Sequence, residues 1–212
     1  MRNSLLLLGL GLVLLSVGLS FWAYPQLPHR VPTHWDLAGN VNGYSSRAFT
    51  VAFMPGMAAA IWVLMIVLPA ISPRGYRFED SATAFYEAMI ATIALFVAVQ
   101  FLILRAAITA TPPSIEVIFA LIGALLTVLG ILIAKVPKNF FMGIRTPWTL
   151  ASDEVWKQTN RLGGRLMVIA GVAVIVCSPF LFVAVPALIA CIAAIVAVPL
   201  VYSYVLYRRI EG

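Results

Sequence analysis

Residues 166–206 form a run of 41 residues without one charged side chain. As a single helix at about 1.5 Å per residue the run would be roughly 60 Å long, about twice the hydrocarbon core of a bilayer, so it must fold back once. Pro186 stands at its middle and marks the expected turn. That makes two spans with internal prolines, Pro179 and Pro199, of the kind that neighbouring helices accommodate in lipid. Four apolar stretches of spanning length precede it, at 5–24, 51–71, about 84–104 and 115–134. The expected fold is all-α: a polytopic membrane helical bundle of six transmembrane helices. The chain has 14 basic and 8 acidic residues and is 62% hydrophobic, too few charges for a soluble surface, where about a quarter of residues are charged. Cys177 and Cys191 both lie in apolar runs, so no disulfide framework is implied.

The first stretch admits a second reading as a cleaved signal peptide, with Arg2 ahead of the leucines and Ser16-Val17-Gly18 as a small-x-small site. The run is long for that, and an uncleaved first span is expected. With the N-terminus inside, Arg2, Arg74, Arg77, Lys135, Lys138, Arg145, Lys157, Arg161, Arg165, Arg208 and Arg209 are cytoplasmic, while Arg30, Arg47 and Arg105 are outside. That is 11 of the 14 basic residues inside, and the excess of basic residues orients a polytopic protein with that side in the cytoplasm. Localisation in the cell membrane with both termini cytoplasmic is the expectation. The same distribution accounts for the net charge of +6 without direct nucleic-acid binding. Trp22 and Tyr24, and Tyr202, Tyr204 and Tyr207, suit interface anchors.

Two connections are long enough to carry function. The outer loop, 25–50, begins extended through Pro25, Pro28 and Pro32. It then carries turn signals at Gly39-Asn40 and Asn42-Gly43, which predict a small hairpin at the membrane surface. His29 with His34-Trp35-Asp36 offers metal or acid–base chemistry, although two histidines and one carboxylate are a thin ligand set and Trp35 suits an interface anchor. The inner loop, 135–165, predicts a short surface helix from an Ser152 N-cap, with Asp153 and Glu154 in its first turn, closing at Leu162 before a Gly163-Gly164 cap or hinge. Val155, Thr159 and Leu162 share one face of that helix, and Trp156 is placed in the headgroups. The shorter connections carry the turn-like Ser72-Pro73-Arg74-Gly75 and the pair Pro112-Pro113.

Ionisable groups at membrane depth are costly and therefore informative. Glu87 is expected to face the bundle and pair with Arg145 or Arg161. Gln100 is a weaker polar candidate of the same kind, and Arg105 and Glu116 are placed to pair across an outer turn. The loops also resemble each other: Arg30, Pro32, Trp35 and Leu37-Ala38 align with Arg145, Pro147, Trp148 and Leu150-Ala151 across a gap. Two three-helix halves, 1–105 with loop 25–50 and 106–212 with loop 135–165, would then form a 3+3 inverted repeat of the transporter kind.

The same loops resemble the SdpI family of bacterial immunity proteins. The outer segment reads LPHRVPTHWDLAG and ends in Gly43-Tyr44. The inner segment reads NFFMGIRTPWTL and continues through Glu154-Val155-Trp156 to Asn160-Arg161-Leu162-Gly163-Gly164. The resemblance implies a multi-pass protein that protects a cell from a membrane-active peptide toxin, or that holds a cytoplasmic transcriptional repressor at the membrane. It implies no enzyme activity and no cofactor. Carried over as candidate binding positions are Asn139, Phe141, Gly143, Arg145, Thr146, Pro147, Trp148, Glu154, Trp156, Arg161, Gly163 and Gly164 inside, and Pro32, His34, Trp35, Asp36, Gly39 and Gly43 outside. Membrane lipids are partners in any case. The alternative is a small transporter or lipid-handling protein with a cavity lined by Glu87 or Gln100. A membrane enzyme ranks third, because no nucleophile–base or metal-ligand constellation is legible.

Overall fold

The computed structural model of the chain describes residues 2–36, 38–71 and 78–211. Ser72-Pro73-Arg74-Gly75, Arg77 and Leu37, to which the sequence assigns roles above, lie outside the described residues. Six helices are long and apolar enough to cross a membrane: α1 (Arg2–Ala23), α2 (Arg47–Val67), α3 (Ala82–Thr109), α4 (Ile115–Ile133), α6 (Asp153–Cys177) and α7 (Leu181–Ile210), with the short α5 (Pro147–Ala151) before α6. Between α1 and α2 the chain forms two antiparallel strands, β1 (Arg30–Trp35) and β2 (Val41–Ser46). The protein is a polytopic membrane helical bundle with one surface hairpin.

Helix ends follow local chemistry. α1 tightens into a 3-10 turn at Pro25, whose ring cannot continue an α-helix. The Ser46 hydroxyl accepts from Phe49 N at 3.2 Å, and that of Ser114 from Val117 N at 3.3 Å. Each satisfies a backbone donor that the first turn leaves open. α7 ends on Arg208 and Arg209, cations that suit the negative end of a helix.

Two expectations for the last spans are corrected. The reversal between α6 and α7 falls at residues 178–180, where Phe180 N bonds Cys177 O at 2.8 Å, and Pro186 lies inside α7. The surface helix that was to close at Leu162 is instead the start of α6, which runs unbroken through Gly163 and Gly164. Because α6 begins thirteen residues earlier than a span starting at 166 would, it has crossed by Cys177. Pro179, which lacks an N–H to continue the ladder, then marks the turn.

The chain packs as two compact units, Met1–Val67 with Met89–Ile118, and Leu68–Ala88 with Phe119–Gly212. In the first, Ala23, Leu27, Val31, Leu104 and Ala107 form a buried cluster that seats the foot of β1 on α1 and α3. Gly9 lets the Trp62 ring approach α1, and its indole N–H donates to Leu6 O at 3.0 Å.

In the second unit α4 and α6 touch backbone to backbone. A Cβ on Gly164 would stand 2.5 Å from Gly130 O, and one on Gly171 2.4 Å from Gly123 O. The glycines are seven apart on each helix, two turns, so they stack on one face and let the helices meet where lipid offers no hydrophobic drive. The loop segments that a repeat would superpose differ locally: Arg30–Trp35 is a strand and Pro147–Ala151 a helix. Thr146 caps the second, whereas the first pairs with β2.

Candidate functional sites in the two loops

The inner segment is built around one buried amide. Asn139 is 2% exposed, and its Oδ1 accepts from Phe141 N at 2.8 Å and Met142 N at 2.7 Å. Its Nδ2 donates to Pro137 O at 2.9 Å and Met142 O at 2.8 Å. Four bonds to backbone use the amide's whole capacity and fold residues 137–142 into a tight turn. Gly143 follows at φ +125°, open to glycine, and the chain meets Asn160 of α6, whose Oδ1 accepts from Ile144 N at 2.7 Å. Trp156 is also fully buried, and its indole donates to Val136 O at 3.1 Å. The expectation of Trp156 in the headgroups is therefore corrected: the ring is the floor under the turn. An indole that bridges its helix to a loop carbonyl buries its area and satisfies its one donor together.

Thr146 then starts α5 with a reciprocal cap, accepting from Thr149 N at 3.1 Å while Thr149 Oγ1 accepts from Thr146 N at 2.8 Å. Pro147 occupies the first turn, where its missing N–H costs nothing. Thr146 also donates to Ser203 Oγ of α7 at 3.1 Å, and Trp148 packs on Tyr204 at 5.1 Å. Gly163 passes under Ile144, whose Cδ1 lies 2.0 Å from where a Cβ would be. Phe141 joins an aromatic cluster with Phe78 and Phe85, at ring distances of 6.4 and 6.3 Å.

The motif thus divides into scaffold and surface. Asn139, Gly143, Thr146, Trp156, Gly163 and Gly164 fix the loop. Arg145, Pro147, Glu154 and Arg161 are exposed, as is Phe140, whose ring lies 5.8 Å below the Arg145 guanidinium. Arg145 also donates to Phe140 O, and Glu154 accepts from Gln158 at 2.7 Å. Glu87 does not pair with Arg145 or Arg161: it is exposed on α3 and makes no ion pair among the described residues. Its place in the second turn of α3 lets the carboxylate leave the bundle, where the sequence reading had it buried. Arg105 and Glu116 are likewise exposed and unpaired with each other; Ser114 Oγ bonds Glu116 at 2.8 Å.

The outer loop is the predicted hairpin, closed between Asp36 and Asn40, with Gly39 at φ +83°. Asn42-Gly43 lies within β2, not at the turn. Asp36 closes the turn, accepting from Ala38 N and Asn40 N, each at 2.9 Å, and from Asn40 Nδ2 at 3.1 Å. The Asn40 side-chain bond, then those from the backbone, hold its carboxyl below the ordinary range. The bonds favour the charged form, so their stabilisation is complete above the ordinary carboxylate pKa and is lost as pH falls through the lowered one. Amide exchange at Ala38 and Asn40, measured down that acidic range, is expected to accelerate, and Asp36→Asn to remove the pH dependence. The ladder is irregular between Pro32 and Trp35, next to a residue without an N–H to pair. The His34 ring covers Gly43, whose Cβ would come 2.9 Å from that of His34. No three or more His, Cys, Asp or Glu side chains among the described residues are grouped to hold a metal.

Gln100 belongs to a polar clamp that joins three helices. Pro55 inside α2 has no N–H for the carbonyl of Val51, and Ser20 Oγ of α1 donates to that carbonyl at 2.6 Å. Ser20 accepts from Gln100 Nε2 of α3 at 2.9 Å, the same nitrogen reaches Ser16 O at 3.0 Å, and Ser16 Oγ donates to Gln100 Oε1. Gln100 also borders a cavity of about 360 Å³ below the hairpin, lined by His34, Phe49, Phe53 and Leu104 among others. Gln100→Leu is expected to lower stability by about 1–2 kcal/mol, read as an earlier thermal unfolding in detergent. An unchanged midpoint would show that the clamp contributes nothing.

Sequence reading missed Ser16, Ser20 and Ser203, hydroxyls whose partners are far along the chain, and Thr149, which bonds Thr146 and Ile144 nearby. The glycine spacing was visible but unread.

Residues 135–203 match the SdpI/YfhL protein family and residues 11–59 a domain of unknown function, DUF1648. The Immunity protein SdpI of Bacillus subtilis (strain 168) is 26% identical over 208 residues, covering 95% of each chain. No solved structure matches the chain. Both matched segments carry a loop motif with the geometry described above, and the resemblance read from those motifs is borne out: residues 135–203 are similar to the SdpI/YfhL family, and nearly the whole chain is similar to one immunity protein, SdpI.

Proposed function

We propose that the protein is a cell-membrane immunity protein that protects against a membrane-active peptide toxin and signals to a cytoplasmic repressor through its inner loop. The observation that carries this reading is similarity to an immunity protein along 95% of both chains, together with an inner motif folded into a fixed platform. On that platform Phe140, Arg145 and the edge of Trp148 are the surface, and the buried motif residues hold them in place. The 11-to-3 distribution of basic residues supports the orientation with both termini in the cytoplasm. The hairpin would face the toxin. Lipids surround the six spans.

Expression in a toxin-sensitive host is expected to raise resistance. Arg145→Ala and Trp148→Ala are expected to abolish it while leaving the protein at normal abundance in the membrane. Sensitivity unchanged by expression of the wild-type chain would overturn the reading. The transporter alternative rests on the cavity that Gln100 borders, but Nε2 of that amide is already bonded to Ser16 and Ser20.

A further inference from the structure

The geometry points to a binding site for a phosphate-bearing amphiphile in the cleft between the N-terminal half of α6 and the segment that leaves α4. The cleft measures about 870 Å³, within the size range of ligand sites. Lys157, Arg161 and Arg165, at four-residue spacing, line one side of it, and Lys135 and Lys138 line the other. Two carboxylates also reach the cleft, and both are engaged: Asp153 is ion-paired with Lys138, and Asp80 has a partner of its own. Among the described residues no carboxylate lies within ion-pair distance of Lys135, Lys157, Arg161 or Arg165.

Like charges four residues apart on a helix repel, and here no acidic residue at the intervening turns relieves them: Glu154 bonds Gln158, and the positions after Arg161 are glycines and apolar residues. A phosphate between the two cationic walls would offset that repulsion with charge-assisted bonds, Arg161 and Arg165 offering planar forks. The floor is apolar, formed by Ala134, Val136, Pro137 and the buried Trp156. A cationic rim over an apolar floor fits a group that carries both a phosphate and carbon, as a phospholipid headgroup with its glycerol does. Concavity separates this site from the scattered basic residues common at membrane interfaces. The site shares Trp156 and Arg161 with the inner motif but none of the platform surface formed by Phe140, Arg145 and Trp148, so loss of lipid retention and loss of protection are separate outcomes.

The test uses the full chain in nanodiscs of phosphatidylcholine with or without phosphatidylglycerol, with retained lipid counted by native mass spectrometry. Wild type is expected to retain phosphatidylglycerol over phosphatidylcholine, and Arg161→Gln with Arg165→Gln to reduce that preference by roughly tenfold to thirtyfold. The control removes the same charge elsewhere on this unit: Arg208→Gln with Arg209→Gln, exposed at the end of α7 and outside the cleft, is expected to retain the preference. In pure phosphatidylcholine discs, inorganic pyrophosphate is titrated against thermal stability. A shift that the Arg161/Arg165 variant loses, without any lipid preference, identifies the same site with a soluble phosphate as its source. The exposed single variant Lys157→Gln serves if the double variant does not fold. Equal loss in both double variants, or neither lipid retention nor a pyrophosphate shift, overturns the proposal.

Discussion

Gly171→Leu is expected to separate α4 from α6 and to cost about 3–5 kcal/mol. A Cβ there would stand 2.3 Å from Thr127 Oγ1, 2.4 Å from Gly123 O and 2.7 Å from Thr127 N. Two of these are backbone atoms of a helix, which cannot turn aside as a side chain can, so the whole helix must move. Overpacking of this kind costs about 1–3 kcal/mol. Moving the helices apart also forfeits the weak Cα–H···O contacts of about 0.5–1 kcal/mol each that close glycine packing permits, and the dispersion contacts on which association in lipid rests. The reading is thermal unfolding in detergent, with Gly18→Leu as the control, because a Cβ at Gly18 meets nothing within 4 Å. A large drop for Gly171→Leu beside a near-native Gly18→Leu is the expected pair of results. Equal midpoints would show that the glycine contact does not hold the unit together.

The second large effect is expected at Gly143. Alanine there would hold a side chain at φ +125°, a conformation that costs of order 1–3 kcal/mol for a residue other than glycine. Its Cβ would also lie 2.8 Å from Asn160 Oδ1 and from the Trp156 ring, two groups that are buried and already bonded. Neither can yield without losing its own hydrogen bond. The inner loop is expected to open while the six spans stay inserted, so limited proteolysis should cut after Lys138 and Arg145 far faster than in wild type. Under the proposed function, resistance conferred by expression would be lost with the platform. Phe140→Ala, at an exposed position, should leave the proteolysis rate unchanged. A variant Gly143→Ala as resistant as wild type would mean that the turn is not fixed by that residue.

These two residues also show where the sequence was legible. Glycine at 143 stood inside a recognisable motif, so its importance could be read, but not its reason, which is a positive φ beside Asn160 and Trp156. Gly164 was read as a cap or hinge because a glycine pair near the end of an amphipathic pattern is commonly one. In lipid the same pair serves close helix contact, and α6 continues through it. Trp156 was misplaced for a related reason: tryptophan beside basic residues reads as an interface anchor, and only the carbonyl of Val136, twenty residues away, shows the indole to be buried. Pro186 was taken for the turn because it bisects the apolar run. The helix start at Asp153 shifted the reversal to Pro179.

The sequence by itself determined the number of spans and the hairpin, and it located the two motifs. Each of these depends on length, hydropathy or a local turn signal, which act over a few residues and need no partner. Tertiary structure alone decided which motif residues are scaffold and which are surface. It also made Gln100 a clamp across three helices and left Glu87 outside, and it brought Lys135 and Lys138 opposite Lys157, Arg161 and Arg165. Those outcomes rest on hydrogen bonds and close approaches between residues distant in the chain, and no local pattern encodes the direction in which a side chain will find its partner.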